Sequence, residues 1–145
     1  MTALKKMKVG ALEKCDLPEL KISGLEVRID TGAQTSSLHV DNINEIMEQS
    51  QKWIEFDIHP DVHHVEVIVR CRAKVKAERR IKSSTGHEQV RYVIDTTIML
   101  GEQSWLIEIT LSDRSQMTYL MLLGREAMVG RVIVDPEFNF LLEND

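Results

Sequence analysis

Apolar and polar side chains alternate along most of this chain, and a period of two marks strands rather than helices. Lys52-Trp53-Ile54-Glu55-Phe56-Asp57-Ile58 alternates as a half-buried strand does, and His59-Pro60-Asp61 ends it. The longest alternating run extends from Val65 to Ala77. Val65, Val67, Val69, Cys71, Ala73, Val75 and Ala77 share one face. Arg70, Arg72, Lys74 and Lys76 share the other, because successive side chains of a strand point to opposite sides. Val90 to Leu100 is rich in β-branched residues, and Trp105 to Leu111 alternates again. Tyr119 to Leu123 is continuously apolar, which suits a strand buried on both faces.

Shorter elements complete the pattern. Val9 to Cys15 predicts a first strand, Leu25 to Ile29 a second, and Leu38 to Ile46 either a strand or one helical turn. Arg125 to Val129 predicts one short helix, followed by a last strand over Arg131 to Val134. Leu17-Pro18, Ser23-Gly24, Ser83 to Gly86 and Gly101-Glu102 supply the turn chemistry between them. The expected architecture is all-β with one short helix near the C-terminus. No internal repeat, low-complexity tract or linker divides the 145 residues, so residues 1–145 read as one domain.

Composition narrows the function classes. A formal charge of -5 and a pI near 5.6 argue against a general nucleic-acid binder. Cys15 and Cys71 are too few for a disulfide framework and are expected to be reduced, buried thiols. The basic start, Lys5-Lys6-Met7-Lys8, leads into no apolar run of signal-peptide length, and no stretch approaches a membrane span. A cytoplasmic protein without a membrane partner is the expectation.

The chemistry concentrates where Leu25-Glu26-Val27-Arg28-Ile29 runs into Asp30-Thr31-Gly32-Ala33 and on to Gln34-Thr35-Ser36-Ser37-Leu38. A strand followed by an acid, a hydroxyl and a glycine presents a carboxylate on a tight loop. Where two such loops meet, two carboxylates share one proton and activate a water against a peptide bond. Taken alone, Asp-Thr-Gly reads first as a solvated turn, with catalysis the minority reading. Its context includes a long hairpin with Gly86 near its tip and a downstream Leu122-Leu123-Gly124-Arg125.

In that order these features resemble the retropepsins, the single-domain aspartic peptidases that include the retroviral proteases. Closer still, Ile29 to Leu38, Ile81 to Gly86 and Met121-Leu122-Leu123-Gly124-Arg125-Glu126-Ala127-Met128 are similar to a bacterial family that carries the label "ATP-dependent zinc protease". The resemblance spans Val9 to Leu142 and implies a retropepsin-like closed β-barrel, the acid-protease fold. It implies a homodimer in which each chain supplies Asp30, with Thr31 and Gly32 completing the catalytic loop. Ser83, Ser84, Thr85 and Gly86 become the flap tip, with Ala33 and Arg91 beside bound peptide. Gln34, Gly124 and Arg125 become the supports of the loop, Arg125 at the family's buried-arginine position. The retroviral pattern pairs that arginine with an Asp just after the Ala. Here the position is Gln34, so at best a charge-to-amide hydrogen bond to Arg125 is expected. Some relatives accompany ligases that add glutamates to a ribosomal protein, which makes a glutamate-rich peptide a candidate substrate.

The zinc and ATP of that label find no motif here. There is no His-Glu-x-x-His, no Cys-x-x-Cys and no Gly-Lys-Ser/Thr phosphate loop. His59, His63 and His64, with Asp57 and Asp61, are the nearest thing to a metal cluster, and zinc needs three or four convergent ligands. They read as a polar loop, so no metal and no cofactor are expected. His39 and His87 read as polar surface residues, and Trp53, Phe56, Trp105, Phe138 and Phe140 as core. Seven Lys/Arg and one acid, Glu78, fall between Arg70 and Lys82. That face is either ordinary solvated strand or a patch that steers an acidic peptide. Three functions follow in order: an aspartic peptidase, a non-catalytic peptide-binding dimer of the same fold, and a metal-dependent peptidase.

Overall fold

The structure, a computed structural model, describes residues 5–61, 64, 66–82, 86–112 and 119–144. Twelve strands and one short helix follow one another among them. They are β1 (Met7–Val9), β2 (Leu12–Leu17), β3 (Ile22–Ile29), β4 (Ser36–His39), β5 (Asp41–Glu48), β6 (Gln51–Ile58), β7 (Val69–Lys74) and β8 (Ala77–Lys82). After these come β9 (Glu88–Leu100), β10 (Gln103–Ser112), β11 (Met121–Leu123), α1 (Arg125–Met128) and β12 (Val132–Val134). Single 3-10 turns cover Pro18–Leu20 and Leu141–Asn144.

Six strands close on themselves in the order β10-β4-β11-β3-β2-β9, with β9 pairing back to β10, and β8 hangs on the outside of β9. The protein is therefore the expected closed β-barrel with one short helix. Closure follows from the length of β9. Its residues from Tyr92 to Leu100 pair with β10, while Glu88 to Val93 pair with β8, so one strand is both barrel wall and hairpin arm. Inward positions obey the period of two: Leu25, Val27 and Ile29 on β3, Ile94, Ile98 and Leu100 on β9, and Ile107, Ile109 and Leu111 on β10 are buried. A three-stranded meander, β5-β6-β7, lays Ile54, Phe56, Ile58, Cys71 and Ala73 against the same core. Each such side chain contributes about 1.5–3 kcal/mol by leaving water, which makes the alternation decisive for register.

The chain ends are tied together. The Glu13 side chain is fully buried and accepts hydrogen bonds from the backbone N–H groups of Gly10 (2.7 Å), Leu141 (3.0 Å) and Leu142 (3.3 Å). Parallel pairing of β1 with β12 completes the closure. Cys15 and Cys71 are free and buried, as expected.

Several expected boundaries move. The alternation over Val65 to Ala77 is not one strand. β7 stops at Lys74, and across Val75-Lys76 the chain leaves the meander and opens β8 at Ala77 on the outside of β9. The handover is marked by Val75 N–H donating to Lys52 O of β6 (3.0 Å) and Lys76 N–H to Val93 O of β9 (2.8 Å). Val9 to Cys15 divides between β1 and β2, and Leu38 to Ile46 divides into β4 and β5. β3 passes straight through Ser23-Gly24, where a bulge in the β2–β3 register takes up the irregularity and Gly24 N–H donates to Asp16 Oδ1. Phe56 and Trp105 are in the core, but Phe138 is exposed and Trp53 is half-buried under the Arg72 guanidinium.

Candidate active site

β11 determines where Asp30 sits. This three-residue strand lies between β3 and β4, parallel to one and antiparallel to the other. The 30–35 loop joins those same two strands, so it has to pass over the end of β11. Asp30 N–H donates to Leu123 O (2.9 Å), and Gly124 N–H donates to the buried Ser36 Oγ (3.0 Å). Contact at Gly124 is so close that an added Cβ would lie 2.5 Å from the Thr35 carbonyl carbon and 2.9 Å from Ser36 N. Glycine is therefore required by packing there, as a supporting residue should be.

The start of α1 continues the grip. Arg125 N–H donates to Ala33 O (2.8 Å), and Glu126 N–H to Gln34 O (3.1 Å). The loop folds on itself through Gly32 N–H to Asp30 Oδ1 (3.0 Å) and Ala33 N–H to Asp30 O (3.2 Å). Asp30 is half-buried, while Thr31 and Gly32 at the tip are exposed. One carboxylate is thus held by a backbone donor at the base of an exposed tip.

Two expectations about the supports are corrected. Arg125 is exposed rather than buried, and its Nη1 donates to Thr31 O (2.9 Å). Gln34 does not bond to Arg125; its Nε2 donates to Glu126 Oε1 (2.9 Å). The reason is register. Backbone bonds from residues 125 and 126 to 33 and 34 put the Arg125 side chain on the Thr31 side and Glu126 on the Gln34 side. Glu126 and Ser36 are the loop-binding residues that motif reading passed over, although both lie inside the quoted motifs.

The hairpin expected to cover bound peptide is formed by β8 and β9. Arg79 stands opposite Arg91 in the register, and Glu78 opposite Tyr92. Gly86 is exposed near its tip, and Ser83, Ser84 and Thr85 lie outside the described residues. At the hairpin root, Tyr92 Oη donates to Glu45 of the meander, and Lys52 Nζ lies 3.1 Å from Glu78 Oε1 and 3.7 Å from Glu45 Oε1. Burial and the Glu45 carboxylate push the Tyr92 hydroxyl up to about 12.

The basic run is largely paired with acids. Arg70 pairs with Asp57 (3.0 Å), Arg72 with Glu48, Lys76 with Asp95 (3.1 Å), Arg79 with Glu108 (3.6 Å) and Arg80 with Glu88 (3.7 Å). The first two lie on the meander and the last two on the hairpin, so the run is divided between two elements. Among the described residues no group of three or more His, Cys, Asp or Glu is placed to hold a metal ion. His64 Nδ1 lies 2.8 Å from Asp61 Oδ2, and His63 lies outside the described residues. His39 differs from expectation: it is buried at 8% exposure, because β4 runs between two other barrel strands, and its Nε2 lies 3.5 Å from Asp41 Oδ1. His59 Nε2 reaches the other oxygen of Asp41 at 3.1 Å, and His87 is exposed.

A family model described as the retropepsin-like aspartic endopeptidase RimB matches residues 8–144. The chain belongs to the RimB-like family. It is 46% identical over 133 residues to a probable α-L-glutamate ligase of Parasynechococcus marenigrum, covering 92% of this chain and 28% of that protein. Against a probable α-L-glutamate ligase of Shewanella pealeana it is 42% identical over 134 residues, covering 92% and 29%. The chain thus spans less than a third of the length of these curated relatives. A crystal structure of a Legionella pneumophila protein of unknown function matches with a TM-score of 0.80 at 26% identity, covering 95% of this chain and 99% of the other. Membership in the RimB-like family agrees with the barrel. No helix among the described residues is long and apolar enough to cross a membrane.

Proposed function

We propose that the protein is a homodimeric aspartic peptidase in which Asp30 of each chain supplies half of a catalytic dyad. The supporting observation is the exposed Thr31–Gly32 tip, with the half-buried Asp30 carboxylate at its base and the whole loop locked onto β11 and α1. Such a tip is suited to meet its own copy across a two-fold axis. Two carboxylates about 3 Å apart do not both ionise, so the pair holds one proton between them. The ionised member takes a proton from a water, whose oxygen attacks the peptide carbonyl carbon. The protonated member donates to the carbonyl oxygen as the tetrahedral intermediate forms. Proton transfer to the amide nitrogen then lets the C–N bond break. The apparent pKa values belong to the pair and not to either Asp30.

The same reading assigns Thr31 to hold the two loops in register and Gly86, with Ser83, Ser84, Thr85, Ala33 and Arg91, to contact with the peptide. Glutamate-rich peptides are the proposed substrate class. Support comes from the glutamate ligases of which related domains form part, and from Arg79, Arg80 and Arg91 on the hairpin arms.

Replacing Asp30 with Asn tests the proposal. Cleavage of a glutamate-rich peptide should disappear while binding of that peptide and dimerisation persist. Cleavage that survives the replacement and is lost with a chelator would overturn it in favour of metal chemistry. A wild-type dimer that binds peptides without cutting them, from mild acid to neutral pH, would leave a binding module. Peptide affinity should fall steeply with added salt if the acidic substrate class is right.

A further inference from the structure

We infer that Glu126 is the positioning residue of the Asp30 loop, acting through Gln34; the catalytic part of this inference rests on the proposed peptidase reading. Three backbone–backbone bonds hold the loop at residues 30, 33 and 34, namely Asp30 to Leu123, Arg125 to Ala33 and Glu126 to Gln34, and Gly124 N–H donates to the Ser36 hydroxyl. Side chains from α1 add one contact on each flank. Arg125 Nη1 reaches Thr31 O on one side, and Glu126 Oε1 accepts from Gln34 Nε2 on the other. Gly32 and Ala33 lie between these two grips, and Asp30 directly precedes the first. A backbone bond fixes a peptide unit but leaves the loop free to rotate about it; a second contact on the opposite flank removes that freedom.

The chemistry of the Gln34–Glu126 pair is directional. Gln34 offers a neutral amide donor from the loop, and Glu126 offers the carboxylate from the helix. The negative charge therefore stands on α1 and not on the loop beside Asp30. A carboxylate at residue 34 would instead stand against the Glu126 carboxylate, with no donor between them. Charge-assisted hydrogen bonds are stronger than neutral ones, so an exposed pair of this kind has measurable weight. The arrangement predicts that exchanging the two groups, acid on the loop and amide on the helix, restores the bond, whereas placing acids on both breaks it.

Two readouts test this, one of them independent of catalysis. In the intact dimer, E126A and Q34A should each speed backbone amide exchange over residues 31–35 about five-fold, as expected for losing one hydrogen bond. The double variant should be no faster than either single one. E126Q, whose amide oxygen still accepts from Gln34 but without the charge, should exchange at a rate between wild type and E126A. Q34E should be the fastest, and Q34E/E126Q should return toward wild type. In peptide cleavage, E126A should lower kcat about five-fold with KM unchanged, and E126Q should recover most of that loss. Wild-type exchange in E126A, or exchange in E126Q as fast as in E126A, would overturn the inference. So would an unchanged kcat in E126A beside a D30N variant that is inactive. Faster exchange in E126A, with no cleavage by wild type or variant, would instead uphold the loop grip and sink the peptidase reading.

Discussion

The Asp30 loop and the β8–β9 hairpin are the two halves of the proposed site, and they are held by different kinds of force. Backbone hydrogen bonds and a glycine contact without slack fix the loop. Beyond its own backbone ladder, the hairpin root is tied to the meander and to β10 by side chains at the surface: Tyr92 with Glu45, Lys52 with Glu78, and Lys76 and Arg79 with Asp95 and Glu108. Exposed ion pairs contribute little each and are screened by salt. One half of the site is thus set by covalent geometry and packing, the other by solution conditions. A peptidase needs both: a carboxylate that does not wander and a cover that admits a polymer.

The contrast is broken most severely at Gly124. Alanine there forces its Cβ into the Thr35–Ser36 backbone, and G124A should lower stability by about 3 kcal/mol in chemical denaturation. Alanine at Gly86 meets open space but inherits a φ of +87°, so G86A should cost about 1 kcal/mol and leave the Asp30 loop's amide exchange unchanged. Equal effects at the two glycines would abolish the distinction between loop and hairpin.

Removing the phenol hydroxyl tests the hairpin root. Y92F should leave the midpoint of unfolding nearly unchanged but speed amide exchange in β8 and in residues 88–93. Salt should do the same to the wild-type hairpin and leave the 30–35 loop unaffected. Exchange that rises equally in both regions would show that the root pairs hold the whole barrel.

Acid gives a smaller, graded effect. Asn42 and Arg70 hold the Asp57 carboxyl below its ordinary value, and the Thr97 hydroxyl and N–H do so for Glu19. A depressed carboxyl stabilises the fold above its unfolded pKa and loses that contribution as pH falls through the folded value. Melting temperature should therefore hold through mild acid, where the dyad would work, and fall below about pH 4. D57N should make that fall shallower. The smallest expected effect is chemical: burial pushes the Cys15 and Cys71 thiols up to about 12 and about 11, so neither should label appreciably in the native state at pH 8.

How much of this was legible depends on whether the deciding contact was local. Ile54, Phe56 and Ile58 announce β6 because burial imposes a period that neighbours along the chain can show. Asp30-Thr31-Gly32 and Leu123-Gly124-Arg125 announce the loop and its support for the same reason. The partners of Gln34 and Arg125 were hidden, because two backbone bonds across some ninety residues decide which side chain faces which. The run from Val65 to Ala77 misled because the chain passes from the meander to the outer side of β9 at Val75-Lys76 without a Gly or Pro to mark the change of sheet. His39 misled because its burial comes from β10 and β11 on either side of β4, and nothing in its own neighbourhood reports them.

β9 has one further consequence. Its thirteen residues are stave and lever in one strand, with Ile94, Ile98 and Leu100 seated in the wall and Glu88 to Arg91 extended beyond it. Trimming Ile98, far from any reacting atom, would tilt the overhanging arm as well as loosen the wall. Under the proposed mechanism, turnover would register changes in the deepest hydrocarbon as readily as changes beside the attacking water.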